Sequence, residues 1–325
     1  MSKIIKIGIV GYGNLGRGVE KAISQNPDME LQAIFTRRDP KHIETSPQLL
    51  HISKILDFKD KIDVMILCGG SAKDLPEQGP SIARYFNTVD SFDNHGQIPE
   101  HFNKMDRVAG ESNRLSLISV GWDPGLFSLN RLIGLSILPQ GQTYTFWGKG
   151  VSQGHSDAIR RVSGVKRGVQ YTIPLEDALE QVRSGKSPNL TAGQMHKRVC
   201  YVVLEEGANP DQVARDIKEM PNYFADYPTD VNFISDKEFQ AQHSNMPHGG
   251  FVIRTGETRG NYRQRIEFAL ALEDNPEFTS SVLVAYARAV HGLFSEGKRG
   301  ACTIFDIPIG YLSPLSDEEL RKKLL

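Results

Sequence analysis

Gly11-Tyr12-Gly13-Asn14-Leu15-Gly16 places three glycines at G-x-G-x-x-G spacing. An unbroken apolar, β-rich run (residues 4–10) precedes it. Segment 14–26, with Leu15, Val19 and Ile23 on one helical face, follows it. In a strand–turn–helix the first glycine permits a tight turn. The second lets a pyrophosphate approach the backbone, and the third lets helix and strand pack closely. Free N–H groups and the positive dipole end of the helix then face the phosphates. The plainer alternative is a glycine-rich turn without a ligand, but the flanking strand and helix favour a dinucleotide. The next strand, residues 31–35, ends in Phe35-Thr36-Arg37-Arg38, with no carboxylate there to hold a ribose 2′-OH. Two guanidinium groups suit a 2′-phosphate, so NADP is the expected cofactor. The alternative is an exposed Arg-Arg pair, one member neutralised by Asp39.

Ligands of open α/β sheets lie beyond the carboxyl ends of the strands. The apolar strand 62–67 runs into Cys68-Gly69-Gly70-Ser71, small enough for close backbone approach, with Cys68 read as a buried side chain rather than a nucleophile. Strand 88–90 leads to Asp90-Ser91-Phe92-Asp93, and strand 115–120 leads to Gly121-Trp122-Asp123-Pro124-Gly125. Asp93 and Asp123 thus reach the edge where a nicotinamide would lie. They read either as turn and cap carboxylates or as a pair binding a cationic group such as a substrate ammonium. Farther on, Arg198, His248 and the Thr172 hydroxyl are candidates for holding a carboxylate. His155, His196 and His291 read as structural.

These residues need elements to position them. The first 120 residues alternate strand and helix, with further helices expected at 80–86 and 103–111. That alternation predicts an α/β, Rossmann-type doubly wound parallel sheet. After Trp122 strands crowd together at 144–147, 199–204, 231–234, 251–254 and 265–272, with one clear helix at 209–220. This predicts a second α+β domain with an antiparallel or mixed sheet. A long helix is expected at 278–297, with Pro276 ahead of it and Gly297 closing it. The expected domains are 1–121 for the nucleotide, 122–277 for substrate and dimerisation, and 278–325 for a C-terminal helix and tail. The 325-residue length suits two domains. A formal net charge of -1 argues against nucleic acid or an anionic membrane as partner. No run approaches a membrane span, and the opening apolar run is too short for a signal peptide. Three dispersed cysteines, without C-x-x-C spacing, argue against a disulfide framework or a metal site and suit the cytoplasm.

Taken in order, these blocks resemble the meso-diaminopimelate dehydrogenase family nearly end to end. The specific ones are residues 8–17, Asp90 to Asp93, Gly121 to Gly125, Ser152-Gln153-Gly154-His155-Ser156-Asp157 and Met246-Pro247-His248-Gly249-Gly250. The resemblance implies NADP-dependent, reversible oxidative deamination at the D-centre of meso-2,6-diaminopimelate. It implies that Asp93 and Asp123 are catalytic and, with Trp122 and Trp147, surround that centre. Gln153 would lie close by, and Thr172, Arg198, His248 and Asn275 would hold the L-centre. The cofactor would contact Gly11, Tyr12, Gly13, Asn14 and Leu15, then Thr36, Arg37 and Arg38. It would also contact Cys68, Gly69, Gly70, Ser71 and Ala72, Ser91, Phe92 and Asp93, and Pro124, Gly125, Leu126, Phe127 and Ser128. A homodimer built on the middle region is implied as well. Two rival readings remain: a different NADP-linked oxidoreductase, such as a dihydrodipicolinate reductase, and a non-catalytic NADPH-binding sensor. A sugar dehydrogenase would need a Glu-Lys-Pro turn, where this chain has Leu75-Pro76-Glu77-Gln78.

Overall fold

The structure, a computed structural model, describes residues 4–40, 49–259 and 262–325. Met1, Ser2 and Lys3, which lead into the opening apolar run, lie outside the described residues. The chain divides into two compact units, Met1–Leu129 together with Pro276–Leu325, and Asn130–Asn275.

The first unit opens with β1 (Ile5–Val10), α1 (Asn14–Ser24), β2 (Met29–Thr36) and β3 (Leu49–His51). It continues with β4 (Val64–Leu67), α2 (Leu75–Ala83), β5 (Asn87–Asp90), α3 (Ile98–Glu111) and β6 (Leu115–Leu117). The strands lie in the order β3-β2-β1-β4-β5-β6, with a seventh strand from the far end of the chain beside β6. Every pairing is parallel. The strand order reverses between β1 and β4, which opens a crevice at their carboxyl ends. Ile7, Ile9 and all of β4 are buried, as a sheet covered on both faces requires.

Three expected elements change. The helix expected at 80–86 is α2, which begins at Leu75 and holds Pro80 in its interior. A proline ordinarily marks a helix start, because it suits the first turn. Here the carbonyl that Pro80 cannot serve, that of Pro76, accepts from Lys104 Nζ at 2.7 Å instead. The helix α3 starts at Ile98 rather than 103, with Pro99 in its first turn. The strand expected over 115–120 stops at Leu117, because Ser119 takes φ 58° and leaves the ladder. The short β3 is not foreseen by the sequence; three residues are too few to show a period.

The helix α4 (Leu126–Ile137) leads into the second unit. There follow β7 (Gly141–Trp147), β8 (Gly150–Val151), α5 (Gln153–Arg160), β9 (Val165–Pro174), α6 (Glu176–Arg183), α7 (Ala192–Met195) and β10 (His196–Leu204). Then come α8 (Pro210–Lys218), β11 (Thr229–Phe233), α9 (Asp236–Gln242), β12 (His248–Thr258) and β13 (Tyr262–Leu272). Two sheets form: a mixed one ordered β11-β10-β9-β8 and an antiparallel one ordered β13-β12-β7. Ile159 of α5 with Val213 and Ile217 of α8 cover the first against Cys200 and Val202. Leu179 and Val182 of α6 cover the second against Phe146 and Ile253. The single helix expected here, at 209–220, is α8. The others are short, and turns of four to eight residues do not build a visible apolar stripe. Two of them nonetheless carry a local start signal. Thr191 with Gln194 and Ser235 with Glu238 are capping boxes that open α7 and α9.

The chain returns to the first unit with α10 (Asn275–Ser295), β14 (Gly300–Cys302) and α11 (Asp317–Leu324). Pro276 lies inside the first turn of α10 rather than ahead of it, at a position where no backbone N–H is needed. Val282, Leu283, Tyr286 and Val290 join Ile5, Ile7 and Val19 in one core. Each fully buried side chain of this size contributes about 1.5–3 kcal/mol. Arg288 locks α10 further, donating from Nε and Nη2 to both oxygens of Asp28 at 2.6 and 2.8 Å.

Candidate functional site

The glycines of the turn between β1 and α1 divide the labour as their spacing requires. Gly11 has φ 94°, and a Cβ there would meet the Cys68 carbonyl at 3.1 Å. A Cβ on Gly16 would lie 2.1 Å from the Gly11 oxygen, so helix and turn touch backbone to backbone. Gly13 differs. Its φ of −95° suits any residue, and an added Cβ meets nothing within 4 Å. Among the described residues neither backbone conformation nor packing requires a glycine there, and the space beside it is open. Gly13 is also the N-cap of α1, and no side chain caps it among the described residues, so the first N–H groups of the helix point outward.

This turn borders a cavity of about 280 Å³ that Thr36, Arg37, Arg38, Cys68, Gly69 and Asp74 also line. Arg38 donates to the Tyr12 carbonyl at 2.5 Å and stands beside the phosphate turn. Arg37 pairs with Asp74 at 2.5 Å, and the other oxygen of Asp74 accepts from Gly70 N at 3.0 Å. The sequence does not single out Asp74, because it lies far from the β2 end along the chain. It braces the Gly69–Gly70 turn and holds Arg37 at the cavity edge. The residues present fit a dinucleotide with a 2′-phosphate: an open glycine, bare helix N–H groups and two guanidinium groups. Desolvation pushes the Cys68 thiol far above its ordinary range, although the residue keeps some exposure, so it stays protonated and is no nucleophile.

Asp93 is exposed just beyond β5, and its N–H donates to Ser71 Oγ at 3.0 Å. That bond ties the Ser91-Phe92-Asp93 loop to the Gly69-to-Ala72 turn. Asp123 is half-buried after β6. Its loop closes tightly: Leu126 N donates to Gly121 O at 3.1 Å and Phe127 N to Trp122 O at 2.8 Å. Gly125, at φ 135°, would place a Cβ 1.7 Å from the Gly121 oxygen. Trp122 is buried with its ring edge-on to Phe127 at 5.2 Å, and Ser128 Oγ accepts from Gly125 N.

The second unit gathers the other candidates. Thr172 of β9 and Arg198 of β10 are cross-strand partners, and Gly150 of β8 pairs with Thr172 from the other side. Arg198 Nη1 donates to Thr172 Oγ1, and Gln170 Nε2 reaches the same oxygen at 3.2 Å. The guanidinium lies over Tyr227 at 4.0 Å. Arg198 is only 7% exposed, its Nε has no hydrogen-bond partner, and no carboxylate pairs with it among the described residues. Burial lowers its pKa. A buried cation left so is costly unless a ligand supplies the anion. Gln170, fully buried with Oε1 unpartnered, is a polar neighbour that no sequence motif marks.

Trp147 ends β7, and its N–H donates to His196 Nε2 at 2.9 Å. Gln153 opens α5 and reaches Met246 Sδ at 2.8 Å. His248 opens β12 so close to Gly150 that a Cβ there would lie 2.5 Å from the imidazole. Asn275 N donates to Met246 O at 3.0 Å. Trp147, Gly150, Gln153, Thr172, Arg198, His248 and Asn275 are therefore joined through β7–β10, β12 and the Met246 loop. Burial first, and the Arg198 charge also, push His155 and His196 down to about 4. Both imidazoles are neutral at ordinary pH. Among the described residues no cluster of His, Cys, Asp and Glu is placed to hold a metal.

Residues 121–274 match the family model described as "Diaminopimelic acid dehydrogenase C-terminal domain". Over its whole length the chain is 62% identical to the meso-diaminopimelate D-dehydrogenase of Ureibacillus thermosphaericus, covering 100% of both chains. A multiply substituted meso-DAPDH of Clostridium tetani E88, solved with DAP, superposes with a TM-score of 0.95 at 61% identity, over 99% of this chain and 100% of that one. An engineered D-amino acid dehydrogenase bound to NADP+ superposes with a TM-score of 0.87 at 43% identity, over 99% of each.

Proposed function

Because this chain belongs to the meso-diaminopimelate D-dehydrogenase family, we propose that it oxidises the D-centre of meso-2,6-diaminopimelate with NADP. Water is the co-reactant, the products are L-2-amino-6-oxopimelate, ammonia, NADPH and a proton, and the reaction runs in both directions. The observation that carries this reading is Arg198: a buried cation paired with no carboxylate among the described residues, bonded to a Thr hydroxyl, in a chain with a dinucleotide turn.

When bound, NADP supplies the two-electron acceptor. The bare N–H groups of α1 and the open face of Gly13 hold its pyrophosphate. Arg37 and Arg38 hold its 2′-phosphate, with Thr36 buried behind them. The Gly69-to-Ala72 turn, the Ser91-to-Asp93 loop and the Pro124-to-Ser128 turn form the rest of the cofactor contacts.

The substrate carries two ammonium and two carboxylate groups, so both signs of charge are needed. We assign Asp93 and Asp123 to the D-centre ammonium, where they orient it and help receive its proton. We assign Trp122, Trp147 and Gln153 to the same centre. We assign the L-centre to Thr172, Arg198, His248 and Asn275, Arg198 supplying the charge for its carboxylate. An LL or DD isomer satisfies one end and leaves charges unpaired at the other, at a cost of about several kcal/mol.

The protein is mixed with NADP and, separately, with meso-, LL- and DD-diaminopimelate while NADPH absorbance is followed. Reduction with the meso isomer alone is expected; NADPH binding with no turnover of any isomer sinks the reading. No helix of the described residues is long and apolar enough to cross a membrane. All three cysteines are free, which supports a cytoplasmic setting.

A further inference from the structure

We infer that Asp90 and His101 form a positioning pair that sets the Asp93 and Asp123 loops in register with each other. The inference rests on the amine oxidation proposed above for what the loops do, but on geometry for how they are held. Asp90 is the last residue of β5 and is fully buried. Four hydrogen bonds converge on it. Its Oδ1 accepts from Phe92 N and from Ser119 N, each at 3.0 Å. Its backbone oxygen accepts from Val120 N at 2.9 Å. Its Oδ2 accepts from His101 Nε2, carried on α3, at 2.9 Å.

One oxygen therefore holds an amide from each loop. Phe92 immediately precedes Asp93, and Ser119 and Val120 lead through Gly121 and Trp122 to Asp123. Ser119, with a left-handed φ of 58°, lies just past the end of β6. The imidazole also makes a second contact, stacking on the Phe92 ring at 4.1 Å and 15°. His101 thus fixes Asp90 by hydrogen bond and the Asp93 loop by ring contact. Without His101, the Asp90 carboxylate keeps its two amides but loses the partner that orients it. Misplacement of catalytic groups by about 1 Å can cost on the order of a hundredfold in rate.

His101→Phe keeps the stack and removes the donor. His101→Asn is too short to reach Oδ2 and serves in its place if the larger ring disturbs folding, which circular dichroism and the thermal midpoint report. His101→Gln keeps a donor. Amide hydrogen exchange at residues 91–93 and 119–123 is measured without substrate, then kcat and KM with meso-diaminopimelate. Expected for Phe or Asn is exchange about tenfold faster in both loops and kcat about ten- to hundredfold lower. Gln restores both readouts. Unchanged exchange, faster exchange in only one loop, or faster exchange with kcat near that of the parent overturns the inference. A parent with no meso-diaminopimelate turnover sinks the proposed reaction instead, while the exchange arm still decides whether the pair holds the loops.

Discussion

Arg198 and the two histidines around it form an electrostatic group of their own. The guanidinium keeps one N–H without a partner, and His155 and His196 stay neutral beside it because burial and its charge both disfavour a second cation. Arg198→Met should weaken meso-diaminopimelate binding by about 3 kcal/mol, on the order of a hundredfold in KM, while NADPH affinity measured by fluorescence titration stays as in the parent. An unchanged KM removes Arg198 from the substrate site. The histidines predict a pH effect on stability. Their pKa values fall from 6.5 in the unfolded chain to about 4 when folded, so the unfolded state binds more protons in that window. Stability from this source is complete above pH 6.5 and is lost as pH falls toward 4. Thermal midpoints recorded across that range should drop on acidification. His196→Gln, which retains an acceptor for Trp147 N, should flatten the drop.

The turn between β1 and α1 makes a sharper prediction, because its glycines are constrained by different things. Gly16→Ala forces a Cβ against the Gly11 oxygen, so it should lower the thermal midpoint and weaken NADPH binding together. Gly13→Ala meets nothing among the described residues, so its midpoint should stay near that of the parent while NADPH affinity falls by about tenfold or more. Equal effects of the two changes on stability would refute this division of labour. Elements also show what limits sequence reading. Runs such as β1, β4 and β10 are apolar or β-branched enough to stand out. By contrast β9 reads VKRGVQYTIP, with two cations and a glycine, and only its partners β8 and β10 make it a strand. Pro80 points to a false helix start because the donor that relieves its helix, Lys104, comes from another helix.

At the scale of the molecule, we propose that the second unit forms a homodimer, since it displays apolar surface that a lone chain leaves wet. Leu132, Ile133, Leu135 and Ile137 of α4 are 39–61% exposed, and β13 is an edge strand with Tyr262 open to solvent. Sedimentation equilibrium should give twice the chain mass, and Ile137→Glu should shift it toward a monomer. A parent that sediments as a monomer at micromolar concentration removes the proposal. The sequence by itself determined the features that a few consecutive residues govern: the glycine turn, the missing carboxylate after β2, and the strand–helix alternation that forces a parallel sheet. Backbone sterics and hydrophobic period act over such short spans and leave their mark in residue order. Only the tertiary structure decided that Asp74 sits on Arg37, that Thr172 and Arg198 share a register across β9 and β10, and that His101 reaches the Asp90 carboxylate. Those contacts link residues 11 to 37 positions apart. The packing of separate elements brings them together, and no local propensity encodes it.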